Sequence, residues 1–337
     1  VAQVLARFGR HASLPETERL FTNRFITQDP ETRAAVLEAL KYAASDLPLM
    51  ILGPSGTGKT SLARVLHERS GRTGDFVAVN CAAYTEDLLE AELFGYRRGA
   101  FTGADGQRKG RLLEADGGTL FLDEIGSMSL PMQSKLLKAL EEKSFYPLGS
   151  DKPESSEFRV MSATLEDLPA LVKAGRLRFD FFQRVHGMTV TLKPLVRRPV
   201  DVMPLIAAFS HGGRRLSFSA DAKERLLAHP WNGNVRELRR FVDLLAAGHE
   251  GRVGAEAVAP LLAQAEAGAE SPRAGGGFDE LYARALSEGL NPMLDRLTDD
   301  LIARSLAENG GKKTKTLKDL RISTRLLYAS LARRGGA

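Results

Sequence analysis

The chain has 337 residues and a formal net charge of +5, and 43% hydrophobic with 26% charged residues is the composition of an ordinary globular protein. This length exceeds that of one typical domain, so we expect two or three domains. Its single cysteine, Cys81, excludes an internal disulfide framework, and the sequence has neither a signal-peptide pattern nor an apolar run long enough to span a membrane, so we expect a cytoplasmic protein without a membrane partner.

The first two hundred residues alternate between helical patterns and short apolar runs. Residues 1–20 show no decisive pattern and are interpreted as a linker or N-terminal extension, and helical spacing begins near residue 31. The strand-like runs lie at residues 49–52, 76–80, 119–122, 158–163 and 188–192. The helical stretches between them include residues 59–68, 130–142 and 168–174. Such alternation is typical of a parallel sheet covered by helices on both faces, so we predict an α/β domain with five parallel strands over residues 21–198.

Only helical patterns follow Pro199. They lie at residues 200–210, 220–228, 235–247 and 255–263. Asn234 is expected to be the N-cap of the third helix. We therefore predict a small helical domain over residues 199–263 and a linker over 264–292, which is rich in Gly, Ala, Ser and Pro at its start and ends in a helix at 278–290. A last helical domain is predicted for residues 293–337.

A glycine-rich loop joins the first apolar run to the helix at 59–68. It matches the pattern G-x-x-x-x-G-K-[ST] and is followed by Ser61. The matching residues are Gly53, Pro54, Ser55, Gly56, Thr57, Gly58, Lys59 and Thr60. Such glycines let backbone N–H groups wrap phosphates, and the helix N-terminus adds partial positive charge. We expect Lys59 to reach the β- and γ-phosphates of ATP and Thr60 to bind Mg²⁺. A chance glycine-rich turn is the alternative, and the strand and helix that flank the loop argue against it.

The third apolar run ends in two carboxylates, Asp123 and Glu124. Ligands of open α/β sheets bind at the carboxyl ends of the strands, so these side chains are expected at the same edge as Lys59. Asp123 is predicted to hold Mg²⁺ through water, and Glu124 to polarise the attacking water. The alternative is a solvated acidic loop. Asn80 ends the preceding run, where an asparagine is ordinarily a turn former.

A glycine-containing loop lies between these two segments and carries the hexapeptide Gly99, Ala100, Phe101, Thr102, Gly103 and Ala104. An exposed aromatic side chain on a flexible loop is costly unless it binds a partner, although a hairpin with Phe101 packed inward is the alternative. Together with the glycine-rich loop and the paired carboxylates, the hexapeptide resembles the central AAA+ domain of bacterial enhancer-binding activators that work with sigma-54 RNA polymerase. In that family the loop contacts sigma-54, and ATP turnover raises and lowers it.

The resemblance covers roughly residues 20–262 and implies an AAA+ P-loop NTPase with a helical lid, assembled into a ring of six or seven subunits. Arg178 and Arg184 match the arginine-finger segment, which reaches the ATP of the next subunit; two ordinary surface arginines are the alternative. Arg236 matches the second sensor, which contacts the phosphates from the lid. Asn80 matches a residue that contacts the catalytic glutamate, here Glu124, and couples nucleotide state to movement.

One departure bears on hydrolysis. The family usually has an asparagine after the Ala-Thr of the fourth strand, whereas this chain has Leu165, whose side chain forms no hydrogen bonds. Two other functions stay open: an AAA+ protein remodeller outside transcription, and a DNA-binding regulator with an impaired ATPase. The hexapeptide opposes the first. Leu165 favours the second, and the intact Lys59, Asp123 and Glu124 oppose it.

The positive charge is concentrated at the C-terminal end. Residues 301–337 contain nine basic and two acidic side chains, a net charge of +7, so the preceding 300 residues carry −2. The helical rhythm resembles the Fis-type helix-turn-helix that closes these activators, with Ser323 as N-cap of the recognition helix and enhancer DNA as partner. The remaining candidates for contacts with bases and phosphates are Thr324, Arg325, Tyr328 and Arg333. A basic helical hairpin used only for packing or dimerisation is the alternative. The family also implies an upstream sensory domain, as in two-component systems.

Overall fold

The computed structural model describes residues 20–101, 106–210, 216–249, 251–269, 289–320 and 322–335. The chain divides into two compact units, Val1–Ala267 and Gly268–Ala337. The N-terminal extension predicted for residues 1–20 lies outside the described residues except for Leu20, as does nearly all of the helix predicted at 278–290.

The described part of the first unit opens with a short π-helix at Leu20–Arg24. Alternating strands and helices come next. The elements that follow are α1 (Pro30–Lys41), β1 (Leu49–Leu52), α2 (Lys59–Glu68), β2 (Phe76–Asn80), α3 (Glu86–Phe94), β3 (Gly95–Tyr96), β4 (Arg108–Lys109), α4 (Arg111–Glu114), β5 (Thr119–Asp123), α5 (Leu130–Glu142), β6 (Ser144–Phe145), β7 (Glu154–Ser155), β8 (Arg159–Thr164), α6 (Leu168–Lys173), α7 (Phe179–Val185) and β9 (Met188–Thr191).

Five of these strands form one parallel sheet in the order β2-β5-β8-β1-β9. The predicted α/β fold with five parallel strands is therefore confirmed, and each strand end lies within one residue of its predicted position. Alternate residues of β1 enter two different cores, Met50 on one face and Leu49 and Ile51 on the other. Because both faces are covered, the strands read as continuous apolar runs.

A buried arginine connects the sheet to the chain that follows α1. Arg159, at the start of β8, is almost fully buried and donates hydrogen bonds to the backbone oxygens of Tyr42, Ala43 and Leu47. Burial, with nearby Arg72 adding to it, lowers the pKa of Arg159 to about 10. Arg159 thereby ties the start of β8 to three backbone carbonyls in the segment that follows α1.

The helical lid completes the first unit. It comprises α8 (Val202–Phe209), β10 (Ser217–Phe218), α9 (Ala220–Ala228), α10 (Asn234–Gly248), β11 (Arg252–Val253) and α11 (Ala255–Ala269). Its core surrounds Trp231, which is fully buried and donates its indole N–H to the Leu226 oxygen. The N-cap of α10 is Gly233, so the predicted N-cap role of Asn234 is wrong. Asn234 has φ of 56° and directs its side chain elsewhere, as described below.

The second unit contains helices alone in its described part. They are α12 (Leu290–Glu308), α13 (Lys313–Asp319) and α14 (Thr324–Gly335). Ser323 Oγ accepts a hydrogen bond from Leu326 N at 3.2 Å, so the predicted N-cap of α14 is present. Across both units, no described helix combines the length and the apolar character needed to cross a membrane.

The interior strand β5 allows a direct test of the core. Phe121 is fully buried and stacks on Phe76 with ring centroids 5.8 Å apart. We expect Phe121→Ala to lower the free energy of unfolding by about 3–5 kcal/mol, because the cavity adds to the lost apolar burial. Urea unfolding followed by circular dichroism measures this change.

The matched control is Tyr146→Ala, since Tyr146 is an exposed aromatic residue. It should change the free energy of unfolding by no more than about 0.5 kcal/mol. Equal losses for the two variants would contradict the assignment of Phe121 to the core.

Candidate nucleotide site

The loop between β1 and α2 has the backbone shape of a phosphate cradle. Gly56 and Gly58 have φ of 77° and 106°, in the region that favours glycine. A Cβ atom on Gly56 would lie 2.3 Å from the Gly233 oxygen, so no larger residue fits there. Gly58 is the N-cap of α2, and the first N–H groups of that helix therefore open toward the loop.

Lys59 lies inside this loop. It is buried, and its Nζ donates hydrogen bonds to the oxygens of Gly53 at 2.9 Å and Pro54 at 3.1 Å. Burial lowers the pKa of Lys59, while the carboxylates of Asp123 and Glu124 act in the opposite direction. The predicted cation and the predicted carboxylates are therefore close enough to influence one another.

The carboxylates lie where β5 ends, next to the end of β2. Asp123 is paired in register with Asn80, so the two residues stand side by side at the carboxyl edge of the sheet. Asp123 Oδ1 accepts a hydrogen bond from Glu124 N at 3.0 Å, and Glu124 has φ of 54°. A non-glycine residue in this conformation is strained, and such strain concentrates at functional sites. Asn80 Oδ1 accepts from Ala82 N at 2.8 Å, which is the turn-forming contact that its residue type predicts.

The single cysteine is next to this edge. Cys81 is buried, and burial, together with Asp123 and Glu124, raises its pKa to about 12. The thiol therefore stays protonated at neutral pH and contributes neither a nucleophile nor a metal ligand to the site.

The oxygen ligands fit magnesium and a polyphosphate. Within the described ranges no three His, Cys, Asp or Glu side chains cluster to form a metal cage. Mg²⁺ typically takes one or two protein oxygens and fills its remaining positions with water and substrate phosphates. The hydroxyl of Thr60 and the carboxylate of Asp123 are ligands of that kind.

The lid helix α10 and the segment that precedes the lid helices hold the backbone carbonyls of the loop. Three consecutive carbonyls, those of residues 55–57, accept hydrogen bonds from Asn234 Nδ2, Val235 N and Arg198 Nη2 at 2.9, 2.9 and 2.8 Å, respectively. Asn234 Oδ1 also accepts from Leu195 N at 2.7 Å, so its side chain bridges two segments. The sequence did not predict these contacts, because nothing in the pattern around residue 198 or 234 marks a side chain as turned toward another loop.

The predicted sensor arginine does reach the loop. Arg236 Nη1 lies 3.1 Å from Ser55 Oγ. Leu165, at the position of the first sensor, is 60% exposed, and the neighbouring Thr164 accepts a hydrogen bond from Glu166 N. The hydroxyl of Thr164 is therefore engaged in a local turn.

The two predicted finger arginines are both held by partners in their own chain. Arg178 pairs with Asp180 at 2.7 Å, and Arg184 Nη2 donates to the Leu140 oxygen at 2.7 Å. Arg178 is 44% exposed in its side chain, so it remains accessible to a second molecule.

The hexapeptide loop connects β3 to β4, which pair as a two-stranded hairpin. Its base is fastened to the turn after β6, because Arg97 N donates to the Leu148 oxygen and Leu148 N donates to the Gly95 oxygen. Phe101 is 43% exposed and meets the Tyr96 ring edge-on at 5.1 Å. Gly99 and Ala100 are described, whereas Thr102, Gly103 and Ala104 lie outside the described residues.

In the second unit, the predicted DNA-contacting residues are the N-cap of α14 and residues along that helix. Ser323, Thr324 and Arg325 are exposed, and Tyr328 packs its ring 4.8 Å from the Lys313 ammonium. The side chain of Arg333 lies outside the described part of the chain.

Comparison with known families matches the α/β part and the lid of the first unit to two separate family models. Residues 25–191 match the Sigma-54 interaction domain, and residues 197–274 match the AAA+ ATPase lid domain. Among solved structures, NtrX from Brucella abortus in complex with ATP aligns with a TM-score of 0.64 and 26% identity, covering 94% of this chain and 70% of that one.

Similar curated proteins cover both units. The Sigma54-dependent transcriptional activator SfnR of Pseudomonas putida is 41% identical over 82% of this chain and 78% of its own length. The transcriptional regulatory protein ZraR of Escherichia coli K12 is 36% identical over 96% of this chain and 72% of its own length. With these matches and the geometry of the loop around Lys59, the chain belongs to the sigma-54-dependent transcriptional activators and carries their AAA+ ATPase domain.

Proposed function

We propose that this chain hydrolyses ATP in a ring oligomer and uses the energy to remodel the closed complex of sigma-54 RNA polymerase, so that promoter DNA opens. The observation that carries this proposal is the convergence of Lys59, Asp123 and Glu124 at one sheet edge, in the unit that also carries the hexapeptide loop. The similarity to SfnR, which is named a Sigma54-dependent activator, supports it.

Each residue of the site has a chemical role in this proposal. The N–H groups of the loop and the ammonium of Lys59 bind the phosphates of ATP. Thr60 and Asp123 would hold Mg²⁺, which neutralises charge on the phosphate oxygens. Glu124 orients and polarises the attacking water as general base, and Asn80, beside Asp123, contacts Glu124 when the nucleotide changes state.

The ring supplies what a single chain lacks. Arg178 and Arg184 of one subunit reach the γ-phosphate in its neighbour, where a guanidinium fork stabilises developing negative charge. Rings of six or seven subunits are expected. Within one chain, Asp180 holds Arg178 and the Leu140 oxygen holds Arg184. Both arginines then leave these partners when the ring assembles.

The hexapeptide loop and the C-terminal unit bind the partners. Residues 99–104 contact sigma-54, with Phe101 as the aromatic anchor. We assign α14 and its N-cap, in the basic helical unit, to enhancer DNA. The assigned residues are Ser323, Thr324, Arg325, Tyr328 and Arg333. The protein acts in the cytoplasm, where promoter DNA is found.

Lys59→Ala tests the nucleotide site. The variant should bind a fluorescent ATP analogue about 100-fold more weakly, because hydrogen bonds between charged groups contribute about 1.5–3 kcal/mol. Lys138→Ala is the control, since Lys138 is an exposed lysine on α5. Unchanged binding by Lys59→Ala would refute the site.

Arg184→Ala tests the ring. The variant should still bind ATP but hydrolyse it about 10³-fold more slowly. Glu124→Gln should be equally inactive, yet a mixture of the two variants should regain turnover, because some interfaces then combine an intact Glu124 with an intact Arg184. A mixture as inactive as its components, at concentrations where the rings exchange subunits, would contradict an active site shared between subunits.

Phe101→Ala tests the partner. ATPase activity should remain within about twofold of the unchanged protein, while trapping of purified sigma-54 in the presence of ADP and aluminium fluoride should be lost. Leu227→Ala is the control, because Leu227 is exposed to a similar extent, 44% against 43%, on the lid.

Normal ATP turnover without any trapping by the unchanged protein would favour a remodeller outside transcription. Absence of concentration-dependent ATP hydrolysis would instead favour a DNA-binding regulator with an impaired ATPase.

A further inference from the structure

One buried ion pair lies behind the phosphate-binding loop and touches no exposed surface. Arg198 and Asp201, in the segment between β9 and α8, are 1% and 0% exposed, and Arg198 Nη1 lies 3.5 Å from Asp201 Oδ2. Neither residue belongs to the loop, the lid helices or the carboxyl edge of the sheet. Their contacts nevertheless run to the loop on one side and to the start of α1 on the other.

On the loop side, Arg198 Nη2 donates to the Thr57 oxygen at 2.8 Å. The carbonyl of one residue and the N–H of the next belong to one planar peptide group and point in opposite directions. Holding the Thr57 oxygen therefore fixes the direction of the Gly58 N–H, which lies at the N-cap of α2. Asn234 and Val235 act in the same way on the two preceding peptide groups.

On the other side, Asp201 fastens the segment that leads into α1. Its carboxylate accepts hydrogen bonds from Thr27 Oγ1 at 2.7 Å, Gln28 N at 2.5 Å and Asp29 N at 3.1 Å. Thr27 is fully buried, and Asp29 is the N-cap of α1. One carboxylate thus joins residues 27–29 to the guanidinium that holds the loop.

We propose that Arg198 is a positioning residue for the phosphate-binding loop, and that Asp201 makes its position depend on residues 27–29. This proposal rests on the nucleotide site described above and extends it. A displacement of the segment before α1 shifts Asp201, then Arg198, and then the peptide groups of the phosphate-binding loop. Nucleotide affinity therefore responds to whatever the chain before α1 contacts, without any change in Lys59, Thr60 or Asp123.

The energetics favour positioning over simple stabilisation. Burial lowers the pKa of Arg198, and Asp201 and Asp29 only partly oppose this effect. Arg198 Nε is buried and has no hydrogen-bond partner in the described part of the chain. A buried charged pair with an unsatisfied donor adds little net stability compared with apolar residues of similar size, so holding the fold together does not by itself account for it.

The test replaces both charges at once, with Arg198→Met and Asp201→Asn in one variant, and measures ADP binding. Removing both partners avoids leaving one buried charge unpaired. We expect a melting temperature within a few degrees of the unchanged protein when no nucleotide is added, and at least a ten-fold loss of ADP affinity by titration calorimetry. The stabilisation that ADP produces in a thermal melt should shrink in parallel. A folded double variant with unchanged ADP affinity would overturn the proposal.

Two further variants keep the test decisive if the double variant does not fold. Arg198→Lys keeps the charge but lacks the planar fork that donates to Asp201 and Thr57 together, so ADP affinity should fall while the fold is kept. Thr27→Val removes one hydrogen bond to Asp201 at nearly constant volume and should weaken ADP binding by about threefold. Wild-type affinity in both variants overturns the proposal.

Arg197→Ala is the matched control, because Arg197 is the exposed neighbour of Arg198 in the same segment, and it should bind ADP normally. If the unchanged protein binds no ADP, the nucleotide site itself fails and the proposal fails with it. If the unchanged protein binds ADP and Lys59→Ala does not, the site stands, and the Arg198 and Asp201 variants alone decide the role of the ion pair.

Discussion

The site depends on the direction of three peptide groups in the loop between β1 and α2. In a planar trans peptide the N–H points away from the carbonyl, so a hydrogen bond to the carbonyl fixes the direction in which the N–H points. Here the carbonyls of residues 55–57 accept hydrogen bonds from Asn234, Val235 and Arg198. The phosphate-binding loop is therefore shaped as much by the lid and the segment before it as by its own glycines. Two of the three donors, Asn234 and Val235, belong to α10 of the lid. A movement of the lid away from the loop would therefore break two of these hydrogen bonds and change the geometry of the loop.

The cost of this arrangement is strain and burial close to the reacting groups. Glu124 adopts a positive φ, Lys59 is desolvated beside two carboxylates, and Arg198 is buried with one donor unsatisfied. Each feature is unfavourable by itself, and each is flanked by buried core residues such as Ile125, Leu62 and Val202, whose packing supports the backbone there. The stable part of the molecule thus supports a locally unfavourable but chemically useful geometry.

The hexapeptide loop combines a fixed base with a partly exposed aromatic residue. Its base is tied to the turn after β6 by two backbone hydrogen bonds and to β7 by the Arg97–Glu154 ion pair. Phe101 rests on Tyr96, yet over two fifths of its surface stays exposed. At Phe101, the two interpretations of the sequence, an exposed aromatic side chain and one packed inward, each describe part of what the structure contains. Contact with Tyr96 limits the cost of this exposure.

The sequence by itself determined where the five strands lie along the chain, the phosphate loop, the carboxylates of Asp123 and Glu124, and the N-cap at Ser323. Each of these features is encoded by neighbouring residues in a local pattern. The sequence pattern wrongly predicted Asn234 as an N-cap, and it did not mark Arg198 or Asp201 as functional residues. The function of those side chains depends on partners up to 179 residues away, as between Asn234 and Ser55. Only tertiary structure decides such contacts, since a polar residue in a loop has the same sequence pattern whether it faces water or another backbone.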